Sequence, residues 1–437
     1  MNFDAQILLR WIVFGVTIYF CLHALLRKSD PKAAILWIAL MSVFPWIGVP
    51  AYWLFGINRF PGKMSPSVDH VMNCSIEQPE MLVGIESIHD GLSNAIHGAR
   101  HSVVLSTYIF RSDSLGHQVA DALEAAHRRG VHVRILLDGF GNSAVWGWRR
   151  ARMYSRLRKA GLDVRRFNAA LWPWSLPYLN LRNHRKICII DSCIAFVGSA
   201  NIGRVPNLET QFSLSGDCAV QLESIFDSDW DRSASSTRLF IKPPTRPETD
   251  NHQTADQLDQ IVMSSPANPV EALRFVLLDA LLHAESRIRI LTPYFLPDEG
   301  LRSALLAARA KGVNVEILMP DRSNYSVLDW ASRRQSRALV KAGCTLAYRP
   351  DCFDHSKLMT IDRNWALIGS SNWDARSFRL NQEVDLISRQ IDFIASLDQE
   401  IDRRFSKGSI ATEKTLEGRN PLIAIRNAVA RLALPYL

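Results

Sequence analysis

The stretch NHRKICIIDSCIAFVGSAN, residues 183–201, returns later in the chain as DHSKLMTIDRNWALIGSSN, residues 354–372. Both copies follow the spacing H-x-K-x4-D-x6-G-S-x-N without a gap. The pattern residues are His184, Lys186, Asp191, Gly198, Ser199 and Asn201 in the first copy, and His355, Lys357, Asp362, Gly369, Ser370 and Asn372 in the second. A single His-x-Lys pair is usually a solvated surface pair, whereas two complete copies indicate one site built from two halves.

Each copy is typical of a β-hairpin. In the first copy, apolar strands over 186–190 and 194–197 flank a short polar turn. Side chains two residues apart on a strand share a face, so His184 and Lys186 point the same way. Lysine is a compact charge suited to a phosphate oxygen, and histidine can attack phosphorus or carry a proton near neutral pH. Each motif therefore predicts half of a phosphate-handling site.

The residue types indicate separate roles within this site. The predicted catalytic set is His184, Lys186, Asp191, His355, Lys357 and Asp362. Its two aspartates lie in turns, which suits bracing a hairpin or pairing with a cation better than attacking phosphorus. The predicted phosphate-binding residues are Ser199, Asn201, Ser370 and Asn372. Glu209 and Glu383 are predicted to orient a histidine by accepting its second N–H, as the acidic member of a catalytic triad does.

The repeat extends well beyond the two motifs. AAHRRGVHVRILLDGFG at 125–141 matches AARAKGVNVEILMPDRS at 307–323, and LRKAGLDVRRF at 157–167 matches LVKAGCTLAYR at 339–349. Helical and strand patterns alternate through each half, which indicates an α/β fold with two similar lobes. We predict that the two lobes face each other and share one active site.

The N-terminal region carries two hydrophobic stretches, residues 7–26 and 33–56. The second has 24 residues without a charge, which is long enough to span a bilayer as a helix. The predicted divisions are a two-span membrane anchor over 1–63, a first lobe over 64–232, an inter-lobe connection over 233–265 and a second lobe over 266–437. The side of the membrane that faces the lobes stays open, because basic residues on the two sides of the spans nearly balance.

The charge balance indicates an anionic partner. The chain of 437 residues has a formal net charge of +8, for which nucleic acid and an anionic lipid surface both qualify. The hydrophobic stretches favour the lipid surface. The seven cysteines are odd in number and lack metal-ligand spacing, so the sequence predicts neither a zinc site nor a disulfide framework.

These features resemble the phospholipase D superfamily, whose signature is this duplicated motif, and more narrowly the bacterial cardiolipin synthases. The similar stretches are YIFRSDSLG (108–116), RRGVHVRILLDGFG (128–141), LRNHRKICIIDSCIAFVGSANIG (181–203), LTPYFLPDEGLRSALLAA (291–308) and HSKLMTIDRNWALIGSSNWDARSFRLNQEVDL (355–386). One departure is Asn207–Leu208–Glu209, which stands where that family commonly has Trp–Arg–Asp.

The resemblance implies an enzyme of the bacterial inner membrane, with phospholipase D-like lobes behind two transmembrane helices. The implied reaction joins two phosphatidylglycerols into cardiolipin and releases glycerol through a phosphatidyl-histidine, with His184 as the nucleophile and His355 as the acid and base. It implies no metal or cofactor. The implied partners are the membrane and its anionic phospholipids, phosphatidylglycerol and cardiolipin, and no nucleic acid. Oligomeric state, acyl preference and the choice of phosphatidylglycerol or phosphatidylethanolamine as second lipid stay open.

Two other functions fit part of the pattern. A phospholipase D-type phosphodiesterase would use the same site to hydrolyse a lipid or a nucleic acid. A nuclease needs no membrane spans, however, and the sequence has no strongly basic run with interleaved aromatics. A membrane-anchored lipid-binding protein would have lost a catalytic residue, and all twelve pattern residues are present.

Aromatic residues near the matching stretches are candidates to line an acyl-chain groove or to shield the site from water. They are Tyr108, Phe110, Trp172, Trp174, Tyr294 and Phe295. Packing in the core is the alternative prediction for each of them.

Overall fold

The structure is a computed structural model that describes residues 3–28, 31–57, 71–143, 148–168, 181–234, 259–266, 271–417 and 421–432. An N-terminal helical segment precedes two α/β lobes. The segment consists of α1 (Phe3–Arg27), α2 (Pro31–Val43), α3 (Pro45–Ala51) and a π-helical turn (Tyr52–Gly56). Within the described residues, α1 is the one helix long and apolar enough to cross a membrane.

The second hydrophobic stretch, whose Pro45 and Pro50 suit a kinked or re-entrant segment, is not a single helix. α2 ends before Pro45, which has no N–H to continue a helix and disfavours helical backbone at the residue before it. The chain then folds back on itself. A Cβ added at Gly48 would lie 2.7 Å from the carbonyl oxygen of Leu40, so glycine permits α3 to touch the backbone of α2. Further along, Tyr52 is fully buried against Trp37 of α2, with ring centroids 5.2 Å apart.

The first lobe is built on a seven-stranded sheet. Its strands, in order across the sheet, are β2 (Glu77–Val83), β10 (Thr210–Ser215), β8 (Ile194–Gly198), β7 (Ile187–Ile190), β3 (Ser102–Thr107), β4 (His132–Asp138) and β5 (Asp163–Phe167). Strands β3, β4 and β5 are parallel, and the others pair antiparallel. Its helices are α4 (Ile85–Gly98), α5 (Ser114–Arg128), α6 (Trp148–Lys159) and α7 (Asp217–Ala234).

The second lobe repeats this sheet order. The corresponding strands are β11 (Asp259–Ser264), β18 (Asn381–Ser388), β17 (Trp365–Gly369), β16 (Leu358–Ile361), β12 (Arg287–Leu291), β13 (Asn314–Pro320) and β14 (Thr345–Arg349), with β1 (Val71–Cys74) and β19 (Ser409–Ile410) at the two edges. Its helices are α8 (Ala272–His283), α9 (Glu299–Ala310), α10 (Ser326–Lys341), α11 (Ala375–Arg379), α12 (Ile391–Phe405), α13 (Glu413–Glu417) and α14 (Pro421–Leu432). The matching order confirms the internal duplication.

The lobe boundaries differ from those predicted. Strand β11 lies inside the range expected to be an inter-lobe connection, and it belongs to the second sheet. Strand β1, which was expected in the first lobe, pairs antiparallel with β11 from Val71↔Val262 to Cys74↔Asp259. The prediction missed β11 because a polar, proline-rich stretch of sequence leads into its short apolar run.

One apolar core joins the two lobes. It contains side chains of β7 and β8 in the first sheet, of β16 and β17 in the second, and of the helices α7 and α12. The rings of Phe212 and Phe393 meet in it with centroids 5.6 Å apart. Strands covered on both faces read as continuous apolar runs, which explains the ICII and LMTI segments of the two motifs. The lobes are therefore held face to face by the hydrophobic effect.

A buried arginine adds polar contacts across this interface. Arg404 of α12 is fully buried and donates to both carboxylate oxygens of Asp354 at 2.9 and 3.0 Å, and to Glu400 at 2.6 Å. It also donates to the hydroxyl of Thr210 in the first lobe at 2.6 Å. A buried cation with this many acceptors costs much more to leave unpaired than an exposed one.

We expect Arg404→Met to destabilise the protein by about 3 kcal/mol, because it leaves buried carboxylates without their main partner. Arg403→Met is the matched control. Arg403 is a half-exposed neighbour whose pair with Glu400 spans a single helical turn, so its loss should cost under about 1 kcal/mol. The free energy of unfolding of both variants, measured by urea titration in detergent, tests this. Equal losses would show that the cross-lobe contacts of Arg404 add nothing.

Candidate active site

Each motif histidine is positioned by a two-residue strand that pairs with the opposite lobe. Strand β6 (Arg182–Asn183) pairs in parallel with the start of β18, and the backbone N–H of His184 donates to the carbonyl of Gln382 at 2.9 Å. The equivalent strand β15 (Phe353–Asp354) pairs with β9 (Asn207–Leu208) of the first lobe. There the N–H of His355 donates to the carbonyl of Leu208 at 2.8 Å.

The two glutamates also make contacts between the lobes. Nδ1 of His184 lies 2.9 Å from both carboxylate oxygens of Glu383, and Nδ1 of His355 lies 3.0 and 3.1 Å from those of Glu209. Both glutamate side chains are fully buried. Each glutamate therefore serves the histidine of the other lobe, and the two motifs meet in one site that neither lobe can form alone.

The motif lysines lie beside the histidines. Nζ of Lys186 donates to the carbonyl of His184 at 2.7 Å, and Nζ of Lys357 donates to that of His355 at 2.6 Å. Burial lowers the pKa of Lys186 to about 7 and that of Lys357 to about 8, although both glutamates oppose the shift. An anionic ligand would favour the charged form of both lysines.

The histidines are largely unprotonated. Burial lowers the pKa of His184 to about 4, and burial also lowers the pKa of His355, although the paired glutamate opposes each shift. Burial alone would raise the pKa of Glu383, but the charges of His184 and Lys186 hold it at about 2. An ionised glutamate beside a neutral imidazole requires the proton on Nδ1. Nε2 of His184 is therefore the nitrogen with a lone pair available for attack.

The motif serines hold the glutamates. The hydroxyl of Ser199 donates to Glu209 at 2.5 Å, and the hydroxyl of Ser370 donates to Glu383 at 2.5 Å. This differs from their predicted role as phosphate donors, because an ionised buried carboxylate needs hydrogen bonds from its own surroundings. The amide of Asn201 accepts the backbone N–H of Ile109 at 3.2 Å, and the side-chain oxygen of Asn372 is buried without a hydrogen bond from the described residues.

The motif aspartates brace the hairpins. Asp191 accepts the backbone N–H groups of residues 100–102 at 2.7 to 2.9 Å, and Asp362 accepts those of residues 285–287 at 2.7 to 2.8 Å. These amides precede β3 and β12, so each aspartate ties its hairpin to the neighbouring strand. In the part of the chain that the structure describes, neither carboxylate hydrogen-bonds a motif histidine or a motif lysine. The two aspartates therefore contribute to the predicted catalytic set only by fixing the hairpins that carry the histidines and lysines.

Aromatic residues surround the imidazoles. The ring centroid of Tyr108 lies 5.2 Å from that of His184, and the centroid of Tyr294 lies 6.4 Å from that of His355. Phe110 and Phe295 are fully buried in the cores of the lobes, so the groove prediction is wrong for them and core packing is right. The predicted shield residues Trp172 and Trp174 lie outside the described residues.

Sequence reasoning missed several ionisable groups around the site. Asp385 accepts the backbone N–H of Ser371, and burial raises the pKa of this carboxyl to about 7. Arg182 and Arg376 lie near Tyr108. The only signal for Arg182 was its place two residues before His184, on the same strand face.

Two α/β lobes that contribute a histidine, a lysine and a glutamate each to one site define a phospholipase D-like protein. The profile of the family described as "Cardiolipin synthase, PLD-like domain" matches residues 92–230 and 277–405, and the chain belongs to this family. Residues 15–56 match the family described as "Phospholipase_D-nuclease N-terminal".

Relatives match over almost the whole chain. Cardiolipin synthase 1 of Bacillus anthracis is 26% identical over 98% of this chain and 93% of its own length. Cardiolipin synthase A of Pseudomonas aeruginosa is 26% identical over 95% of this chain and 93% of its own length. Among solved structures, the phosphatidylserine synthase of Haemophilus influenzae superposes with a TM-score of 0.66 at 14% identity, covering 84% of this chain and 97% of that one. The structural likeness shows a shared fold.

The pH dependence of kcat/KM should reflect the ionisation of Lys186 and Lys357. Below their pKa values of about 7 and 8 both carry the charge that binds a phosphate. We therefore expect kcat/KM for a phosphodiester substrate to fall as the pH rises through this range, because kcat/KM follows ionisations of the free enzyme. His184, with a pKa of about 4, stays unprotonated throughout.

The measurement is kcat/KM from about pH 5 to about pH 9 at constant salt and lipid composition. Lys186→Arg is the control, because a guanidinium keeps its charge over this range and should remove the ionisation near pH 7 from the profile. A wild-type profile that stays level up to about pH 9 would contradict the role of the lysines.

Proposed function

We propose that the protein is a membrane phosphatidyltransferase that joins two phosphatidylglycerols into cardiolipin and releases glycerol. The observation that carries this proposal is the crossed pair of imidazoles, each held at Nδ1 by a glutamate of the opposite lobe beside a buried lysine. These groups supply a nucleophile, an acid and base, and fixed positive charge. Relatives that match nearly the full chain are named cardiolipin synthase, which favours this reaction over other phosphodiester exchanges.

In the first half-reaction, Nε2 of His184 attacks the phosphorus of one phosphatidylglycerol. The bond between phosphorus and the head-group glycerol oxygen breaks, and His355 gives a proton to that oxygen, so glycerol leaves. The bound phosphodiester favours the protonated form of His355 that this step requires. The phosphatidyl group remains on His184 through a phosphorus–nitrogen bond. Glu383 accepts the Nδ1–H and stabilises the positive charge that the imidazole gains.

In the second half-reaction, the head-group hydroxyl of another phosphatidylglycerol attacks the same phosphorus. His355 now accepts the hydroxyl proton, and the phosphorus–nitrogen bond breaks. Cardiolipin forms and His184 is regenerated. Lys186 and Lys357 neutralise the phosphate oxygens in both steps, which stabilises the charge of the pentacoordinate transition state. The side chains of the two histidines are only 12% and 10% exposed, which limits the access of water to the intermediate.

The helical segment indicates how the site meets its substrate. α1 exposes large apolar side chains on several sides, among them Leu8, Trp11, Phe14, Tyr19 and Leu26. We propose that α1 crosses the bilayer once and that residues 31–56 form a re-entrant hairpin. α2 has 13 residues, too few to cross about 30 Å of hydrocarbon, and α3 returns along it.

The charges of this segment favour one orientation. Lys32 forms an ion pair of 2.9 Å with Glu299 at the start of α9, so the end of α1 near Arg27 faces the second lobe. With a single span, Arg27, Lys28 and Lys32 all lie on the side of the lobes. The positive-inside rule then places the lobes in the cytoplasm, where free cysteines such as the exposed Cys193 stay reduced.

The reaction is tested with purified protein and labelled phosphatidylglycerol in excess EDTA, since the lysines supply the positive charge. We expect cardiolipin and glycerol, with little phosphatidic acid. Phosphatidic acid as the main product would replace the transferase with a hydrolase. Loss of activity in EDTA that zinc or magnesium restores would show an essential ion.

The roles of the histidines are tested with a lipid whose leaving group is p-nitrophenolate, which departs without a proton. We expect His355→Asn to release p-nitrophenolate in a burst and to retain labelled lipid on the protein after an alkaline quench, because the intermediate forms but its resolution lacks a base. His184→Asn should do neither. Label on His184→Asn alone would reverse the two roles, and label on neither variant would contradict a covalent intermediate.

The topology is tested with reporters at the two ends of the chain. A single span predicts that an N-terminal alkaline phosphatase is active outside the cytoplasm while a C-terminal green fluorescent protein is fluorescent inside it. Two complete spans predict both ends on the same side. A fusion ended after Lys28 is the control for insertion of α1 alone.

A further inference from the structure

The two half-sites differ at the residue two positions before the histidine. The position is Arg182 in the first lobe and Phe353 in the second, and both lie on the short strands that cross to the opposite lobe. The ring of Phe353 lies 5.7 Å from that of His355, so this side of the site is aromatic. Arg182 lies close to Tyr108, whose ring contacts His184, so the other side is cationic.

Arg182 is held in place by its surroundings. Its guanidinium lies 3.9 Å from the ring centroid of Phe140 and donates to the carbonyl of Leu181 at 3.1 Å. Asp138 attracts it, but the oxygens of this carboxylate also accept the backbone N–H groups of Phe140, Gly141 and Asn183. Asp138 is thus shared among several donors and is not an exclusive partner of Arg182.

A second arginine approaches from the other lobe. Arg376 belongs to α11, and its charge acts on both Arg182 and Tyr108. α11 lies against the catalytic groups, since the hydroxyl of Ser377 donates to Glu383 at 3.0 Å. Strand β6 pairs Arg182 with Asn381, just after α11, so one arginine of each lobe lies on this side of the site, and their charges oppose each other. An anion placed between them would relieve this repulsion.

Joining two phosphatidylglycerols requires places for two phosphodiesters. One is the phosphorus under attack, which Lys186 and Lys357 neutralise. The other is the acceptor's own phosphate, three carbon atoms away from the hydroxyl that attacks. We propose that Arg182 and Arg376 form a second phosphate subsite that binds the phosphodiester of the acceptor lipid, a role that rests on the transferase function proposed above. Guanidinium groups bind phosphate oxygens in pairs, which orients the acceptor as well as attracting it.

This subsite distinguishes acceptors by their charge. A phosphatidylglycerol acceptor carries the phosphate that the arginines bind, whereas ethanol carries none. Both acceptors resolve the same intermediate at the same phosphorus. Loss of the arginines should therefore reduce transfer to phosphatidylglycerol and leave transfer to ethanol nearly unchanged.

The test uses a phosphatidyl-p-nitrophenol donor in uncharged detergent micelles, with phosphatidylglycerol and ethanol present together as acceptors. For Arg182→Gln and Arg376→Gln we expect the ratio of cardiolipin to phosphatidylethanol to fall about tenfold, the loss typical of one charge-assisted hydrogen bond. Release of p-nitrophenolate should change less than about twofold, because the donor does not use the subsite. Arg379→Gln is the control for a lost charge on α11, since Arg379 is half exposed and pairs with Glu271.

The outcomes separate the two proposals. If the wild-type protein forms phosphatidylethanol but no cardiolipin, the cardiolipin-forming function proposed above fails. If it forms cardiolipin and both arginine variants keep the wild-type product ratio, the subsite is overturned while the function stands. A parallel fall of both products and of p-nitrophenolate release would also overturn the subsite, because the arginines would then support the whole site.

Discussion

The structure depends on two buried histidine–glutamate pairs that cross between the lobes. Glu209 and Glu383 are fully buried, and a buried carboxylate stays ionised only with cations and donors around it. Each glutamate contacts a histidine of the opposite lobe and a serine of its own lobe. The lobes must therefore associate before either half-site is satisfied, and the apolar core between the sheets supplies the driving force for that association.

The two half-sites repeat the same histidine, lysine, serine and glutamate, but the arginine that contacts each motif comes from a different element. In the first lobe Arg185, between the histidine and the lysine, pairs with Asp229 of α7. The equivalent position in the second lobe is Ser356, which accepts from Arg404 of α12. The arginine belongs to the motif in the first lobe and to α12 in the second. The two imidazoles therefore lie in different electrostatic surroundings. The different tasks that we propose for the two histidines require such a difference.

The helical segment and the buried site impose a common requirement on the substrate. A lipid head group must leave the bilayer surface far enough to reach imidazoles that are almost closed to solvent. The ion pair between Lys32 and Glu299 holds α9 beside the lobe-side end of α1. On the same lobe, α14 packs on α10 with Arg426 over the ring of Trp330, and it exposes Leu422, Ile425 and Val429.

The sequence by itself determined the duplication, the α/β class, the two histidines and lysines, and the candidate glutamates, because spacing along the chain survives folding unchanged. The two strands of each motif lie where short apolar runs on either side of a polar turn predict them. Only the tertiary structure decided that each glutamate serves the opposite lobe and that the serines hold glutamates. It also decided that α3 folds back along α2. These outcomes depend on which surfaces meet, and hydrophobicity and local spacing carry no information about partners that lie about two hundred residues away.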